Sequence, residues 1–171
     1  MANDFSFEDE DPFRDSFFGE PEEGERPPRD VDGGEEHEVR VIGVYEHRPE
    51  DSPQPAAFVL LRDAAERSVL IFIGKFEAMS IWLALEGTTA DRPLTHDLLH
   101  NIIDRMGGKV ERVLIDDLWN NTYYAKVTIS YNAKTVEVDA RPSDGIALAL
   151  RAKAPIYMAE AVLEKAAVRE E

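Results

Sequence analysis

Three short polar clusters in this 171-residue chain hold the residue types that proton transfer, metal binding and phosphate binding require. The first is Thr95-His96-Asp97, with Arg92 just upstream. An imidazole beside a carboxylate suits a general base with its orienting or metal-binding partner. The spacing has a plainer reading, and on its own favours it: Asp97 complements a helix dipole and His96 is a solvated first-turn residue. The second cluster is Asp116-Asp117. Carboxylates at a strand end offer the oxygen ligands that Mg²⁺ or Mn²⁺ prefers, or are ordinary sheet-edge polarity. The third, Asp139-Ala140-Arg141-Pro142-Ser143-Asp144, is the most specific. A strand end, an arginine and a helix N-terminus converge there, so Arg141 and Ser143 suit a phosphate. Against that stands a structural reading in which Asp139 pairs with Lys126 while Ser143 and Asp144 cap the helix. Those two readings balance. Glu77 reads more simply as a partner of its helix dipole.

The elements that would position these residues follow from pattern. Val39–Tyr45 and Ala57–Arg62 read as strands, and Ser68–Ile73 is apolar on both faces, which predicts a central, doubly covered strand. A helix over Lys75–Glu86 places Phe76, Met79, Trp82, Leu83 and Leu85 on one side as its core face, with Gly87 as its stop. Thr95 is the expected N-cap of the next helix, which Gly107-Gly108 ends. Side-chain alternation then opposes Val113 to Val127 and Ile115 to Ala125, leaving Trp119-Asn120-Asn121 as a three-residue loop. In that register Asp116 faces Tyr124. A two-residue Asn132-Ala133 turn opposes Val138 to Val127 and Asp139 to Lys126. Asp116 and Asp139 then lie about 11 Å apart, too far to chelate one ion alone. Pro142 opens a helix with Ile146, Leu148 and Leu150 in the core, and a short strand and terminal helix follow. The order predicts an α+β fold with a mixed, mostly antiparallel sheet and helices packed on it.

Charge divides the chain unevenly. Of the formal net charge of -16, residues 1–38 carry -12 and residues 39–171 carry -4. Composition therefore predicts a disordered acidic tail over 1–38 and a domain over 39–171 that is only mildly acidic. A polyanionic substrate is thus compatible with the domain, although the whole-chain charge argues against one. Five of the eight phenylalanines, Phe5, Phe7, Phe13, Phe17 and Phe18, lie among the tail's acids. That pattern suits a partner-binding segment, a solubilising tail, or a competitor for a basic groove. The chain has no cysteine, which excludes disulfides, thiolate metal sites and a cysteine nucleophile. Without an export signal or a membrane-length apolar run, the expectation is a soluble cytoplasmic protein that makes no membrane contact. Phosphate-loop, dinucleotide, zinc-protease and hydrolase motifs are absent, and no organic cofactor is expected.

Six ordered motifs go further than chemistry by class. They are Ile71-Phe72-Ile73-Gly74 with Glu77-Ala78, Arg92–Leu99, Asp117-Leu118, Thr122–Ala125, Val138–Asp144 and Ala154–Tyr157. Together they resemble the bifunctional nuclease family over about residues 39–165. The resemblance implies hydrolysis of DNA and RNA by a homodimer or larger assembly. Its polar positions correspond here to Glu77, Arg92, His96, Asp97, Asp139, Arg141, Ser143 and Asp144. On that footing Asp139 and Asp144 are expected to hold a divalent cation, Mg²⁺ or Mn²⁺, with Asp97 and Asp116 as further ligands. His96 would activate water, while Arg92, Arg141 and Ser143 would bind the phosphate. The alternative is a non-catalytic module that binds nucleic acid or another anion and acts through oligomerisation and its tail, which would have a protein partner. Asn121 and Gly145 depart from the family pattern without removing a chemical group.

Overall fold

A computed structural model describes residues 34–48 and 55–168. The expectation of disorder and the five tail phenylalanines fall outside the described residues. Three strands come first: β1 (Glu36–His47), β2 (Ala56–Asp63) and β3 (Ser68–Ile73). Helices α1 (Lys75–Leu85) and α2 (Thr95–Arg105) precede a second strand set, β4 (Lys109–Trp119), β5 (Thr122–Tyr131) and β6 (Lys134–Ala140). Helix α3 (Pro142–Ala152), β7 (Ile156–Ala159) and α4 (Glu160–Ala166) complete the chain. The sheet order is β3-β2-β1-β7-β4-β5-β6, so the four-residue β7 joins two antiparallel meanders in the middle. Its pairing with β4 is parallel and every other pairing is antiparallel. This is the α+β class with a mixed, mostly antiparallel sheet. β1 begins at Glu36 and pairs Glu36 with Ala159, so residues 36–38 are part of the sheet.

The core forms where alternating strand residues meet the helices. Val59, Leu61, Val113, Ile115 and Ala125 are fully buried, as are Ile146, Ala147 and Ala149 of α3 and Met158 of β7. Helix α3 lies against β4 and β5 and touches both α1 and α2, which makes it the hub for the site. Its residue Gly145 allows that approach: a Cβ there would stand 2.9 Å from Val113 Cγ1.

Three expectations change. β3 is an edge strand, with the Ser68–Val168 bridge on its outer side, and Phe72 is exposed. An apolar run marks a strand with two apolar faces without saying that both are covered. Helix α1 buries Ala78, Ser80 and Ile81, while Phe76, Met79, Trp82 and Leu85 face outward. Periodicity finds residues that share a side; this helix is apolar nearly all round, so either side could have been the core face. Finally, β4 has a bulge between Ile115 and Asp117. The expected pairs Val113–Val127 and Ile115–Ala125 form, but the bulge makes Asp117, not Asp116, the partner of Tyr124. The extra residue shortens the loop to Asn120-Asn121, both at positive φ (47° and 55°), as a primed two-residue turn requires. The Asn132-Ala133 turn and the Val138–Val127 pairing form as expected.

Candidate functional site

The site is built where the first turns of α2 and α3 meet the middle of α1. Helix α2 starts one residue earlier than its cap was expected to allow. Leu94 is the N-cap, and Asp97 Oδ2 accepts its backbone N–H at 2.8 Å. Asp97 Oδ1 accepts from Arg151 Nε of α3 at 2.6 Å. Burial alone would push the Asp97 carboxyl up, but the Arg151 and Leu94 hydrogen bonds hold it below the ordinary range. Asp97 thus ties α2 to α3, through Arg151.

His96, 8% exposed, points the other way from this pair. Its Nδ1 lies 2.9 Å from the Ser80 hydroxyl of α1, and its Nε2 lies 3.0 Å from Asp144 Oδ1 of α3. Asp144 also accepts from Arg141, through Oδ2 from Nε at 2.7 Å and through Oδ1 from Nη2 at 3.0 Å. Arg141 Nη2 reaches on to Glu77 Oε1 at 2.9 Å. Ser80, His96, Asp144, Arg141 and Glu77 therefore form one continuous chain across three helices. The His96 hydrogen bond, then the Arg141 guanidinium, hold the Asp144 carboxyl down to about 2. Asp144 keeps Arg141 firmly protonated in return.

Two clefts meet at this chain. One, about 560 Å³, is lined by Phe76, Glu77, Met79, Ser80 and Pro93–His96, with Arg141 and Asp144. The other, about 410 Å³, runs between α2 and β5–β6 over Leu99, Ile103, Val127, Ile129 and Val138, and ends at the same His96, Arg141 and Asp144. Arg141, 65% exposed in its side chain, stands between them as the accessible cation.

Of the residues expected from sequence, His96, Arg141 and Asp144 come together, and Glu77 joins them as an ion-pair partner. Asp139 borders the second cleft. It is opposed to Lys126, whose ammonium lies 3.3 Å from Asp116 Oδ2. Asp116 is the bulged residue of β4 and borders neither cleft. Ser143 is buried in the first turn of α3, away from both cleft linings. Arg92 lies on the exposed connection before α2, also outside them. Sequence reasoning missed Ser80, whose signal is a hydroxyl in the otherwise apolar run Ala78–Leu85. It also missed the pairing of Arg151 with Asp97, which join across the fold and share no local motif. Among the described residues, no group of three or more His, Asp or Glu side chains is placed to hold a metal ion.

An imidazole–carboxylate–guanidinium chain built across three helices, between two clefts, gives this small α+β domain titratable and cationic groups in one place. The chain belongs to the bifunctional nuclease domain family, which it matches over residues 59–171. It is 43% identical over 130 residues to an uncharacterized protein of Mycobacterium tuberculosis strain H37Rv, covering 75% of each chain. Over 113 residues it is 28% identical to bifunctional nuclease 2 of Oryza sativa subsp. japonica, covering 64% of this chain and 35% of that one. The match to bifunctional nuclease 1 of Arabidopsis thaliana is also 28%, over 115 residues. The chain thus spans about a third of the length of these plant relatives.

Proposed function

We propose that the domain is a nuclease that hydrolyses phosphodiester bonds of DNA and RNA at the junction of the two clefts. Family membership supports the reaction. The single observation that carries the location is Arg141, an exposed guanidinium oriented by two carboxylates between two clefts. A phosphodiester entering there takes the bidentate donor set that Asp144 now occupies. Relieved of Arg141, Asp144 becomes more basic and accepts a proton from the attacking water. Once the ring has gained a second proton at Nδ1, His96 gives its Nε2–H to the leaving oxygen and is left neutral, and the proton on Asp144 then moves to Nε2 across their hydrogen bond. This exchanges the roles expected from sequence: with both ring nitrogens engaged, His96 suits the acid better than the base.

Mg²⁺ or Mn²⁺ remains part of the proposal, held by Asp139 and Asp144, which border the same cleft. Two carboxylates plus substrate phosphate is a usual Mg²⁺ environment, and Asp144 Oδ2 becomes available once phosphate takes Arg141, while Oδ1 keeps its His96 partner. Such an ion would supply charge neutralisation at the phosphate. Oligomerisation is proposed on separate grounds. Among the described residues, Phe76, Met79, Trp82 and Leu85 are exposed on helix α1, an apolar side that a second copy would cover. Trp82→Glu should then yield monomers by light scattering, and an unchanged mass would remove this interface. No helix among the described residues is long and apolar enough to cross a membrane. A cytoplasmic location belongs to the same proposal.

The deciding assay compares purified wild type with Asp144→Asn and Asp139→Asn on DNA and RNA, with and without EDTA. Loss of cleavage in folded Asp144→Asn supports the reading, and loss in EDTA supports the cation. Equal cleavage by wild type and Asp144→Asn would assign the activity to a contaminant. One observation favours a second reading: each side chain in the hydrogen-bonded series from Ser80 to Glu77 is already paired. A non-catalytic anion- or nucleic-acid-binding module would show Arg141-dependent binding without turnover.

A further inference from the structure

The hydroxyl buried beneath His96 has no part in the reaction above. Ser80 is 4% exposed and lies in the middle of α1, yet it meets the first turn of α2 and the last turn of α3. Its Oγ is 2.9 Å from His96 Nδ1, and its carbonyl accepts from Arg151 Nη1 at 3.3 Å. Arg151 in turn holds Asp97, the residue next to His96, at 2.6 Å. The imidazole is therefore gripped from both nitrogens and from its own backbone neighbour.

We propose that Ser80 is a positioning residue that seats the His96 ring through Nδ1, so that Nε2–H is the edge presented to Asp144 and the clefts. Its rate readout rests on the nuclease reading; its structural readout does not. The Asp144 carboxylate can only accept, so in the neutral ring the proton lies on Nε2 and Nδ1 is left as an acceptor. A hydroxyl can donate to that lone pair, and it can turn to accept if the ring gains a second proton during turnover. Few other small side chains do both. Methyl or thiol in its place leaves a buried ring nitrogen without a strong partner. The ring is then free to rotate or to exchange its proton between nitrogens, and Nε2–H no longer has a fixed aim.

The test uses the full chain with ¹⁵N-labelled histidine at one neutral pH. In wild type, His96 should show a single tautomer, with a protonated, slowly exchanging Nε2 and an unprotonated Nδ1. In Ser80→Ala the two ring nitrogens should move toward averaged shifts and the Nε2 proton should exchange faster. Cleavage should lose about tenfold to a hundredfold in kcat, with KM changed less than about twofold, as expected for a misaimed acid. Ser80→Cys keeps the volume and a weak donor, so it should fall between the two on both measures; it also decides the matter if Ser80→Ala does not fold. Retention of the wild-type ring signals and kcat in both variants would overturn the proposal. An inactive wild type with altered ring signals in the variants would sink the nuclease reading and leave Ser80's role standing.

Discussion

Arg141 owes its position to two carboxylates from different helices, and the consequences can be read at single residues. Replacing it with alanine removes the only guanidinium that lines the two clefts among the described residues. Phosphodiester cleavage should fall by about a hundredfold or more, and Arg141→Lys should recover little, because an ammonium cannot reproduce the bidentate geometry. A lysine variant with near wild-type kcat/KM would show that a point charge suffices. Asp144 gives a second, independent measurement. Its carboxyl is depressed from 3.8 to about 2 by His96 first and Arg141 next. A group with a lowered folded pKa stabilises the fold above its unfolded pKa, and loses that contribution as pH falls through the folded value. The stability gap between wild type and Asp144→Asn should hold at up to about 2 kcal/mol above pH ~5 and close between pH ~4 and ~2. Urea unfolding across that range checks it, and a gap that persists at pH ~2 would separate the stabilisation from this ionisation.

Among the elements, α3 carries the site and also depends on a close contact with the sheet. A glycine in a helix interior costs about 1 kcal/mol relative to alanine, so Gly145→Ala ought to stabilise on propensity alone. The structure reverses the sign: the new Cβ would stand 2.9 Å from Cγ1 of the fully buried Val113. Gly145→Ala should lower Tm, and adding Val113→Ala should restore part of the loss; an upward shift in the single variant would show that α3 can move off β4. This contact was invisible in sequence, because Gly145 and Val113 belong to elements whose crossing no local pattern sets. The β4–β5–β6 meander was far more legible. Alternation fixed Val113–Val127, Ile115–Ala125 and Asp139–Lys126 correctly. It went out of step at Asp116, since a bulge adds a residue without leaving a compositional mark. Helix α1 was located to within a residue of its end, yet its exposed and buried sides were exchanged. Pattern gave the period; which side is covered depends on β1, β2 and α3, which pack against this helix. The site behaved likewise. His96, Arg141 and Asp144 stood out because each opens a helix, whereas Ser80 looked like a helix interior residue until His96 was placed beside it.

For the molecule as a whole, the remaining question is how so acidic a chain would bind a polyanion. Residues 1–33 hold twelve acidic residues and three arginines, a net of -9, so removing them takes the full chain from -16 to -7. The sheet starts at Glu36, so a truncation after residue 33 keeps every β1 pairing with β7 intact. Unscreened, the missing charge matters at long range. The Debye length is about 30 Å at 0.01 M salt and about 8 Å at 0.15 M. Deletion of residues 1–33 should therefore strengthen DNA binding several-fold near 0.01 M salt, with the two affinities converging near 0.15 M. Fluorescence anisotropy on one labelled oligonucleotide, titrated at both salts, separates the outcomes. Equal affinity at low salt would show that the acidic segment does not repel the substrate. A gain that survives at 0.15 M would require more than long-range repulsion, because screening removes the field and leaves only short-range competition.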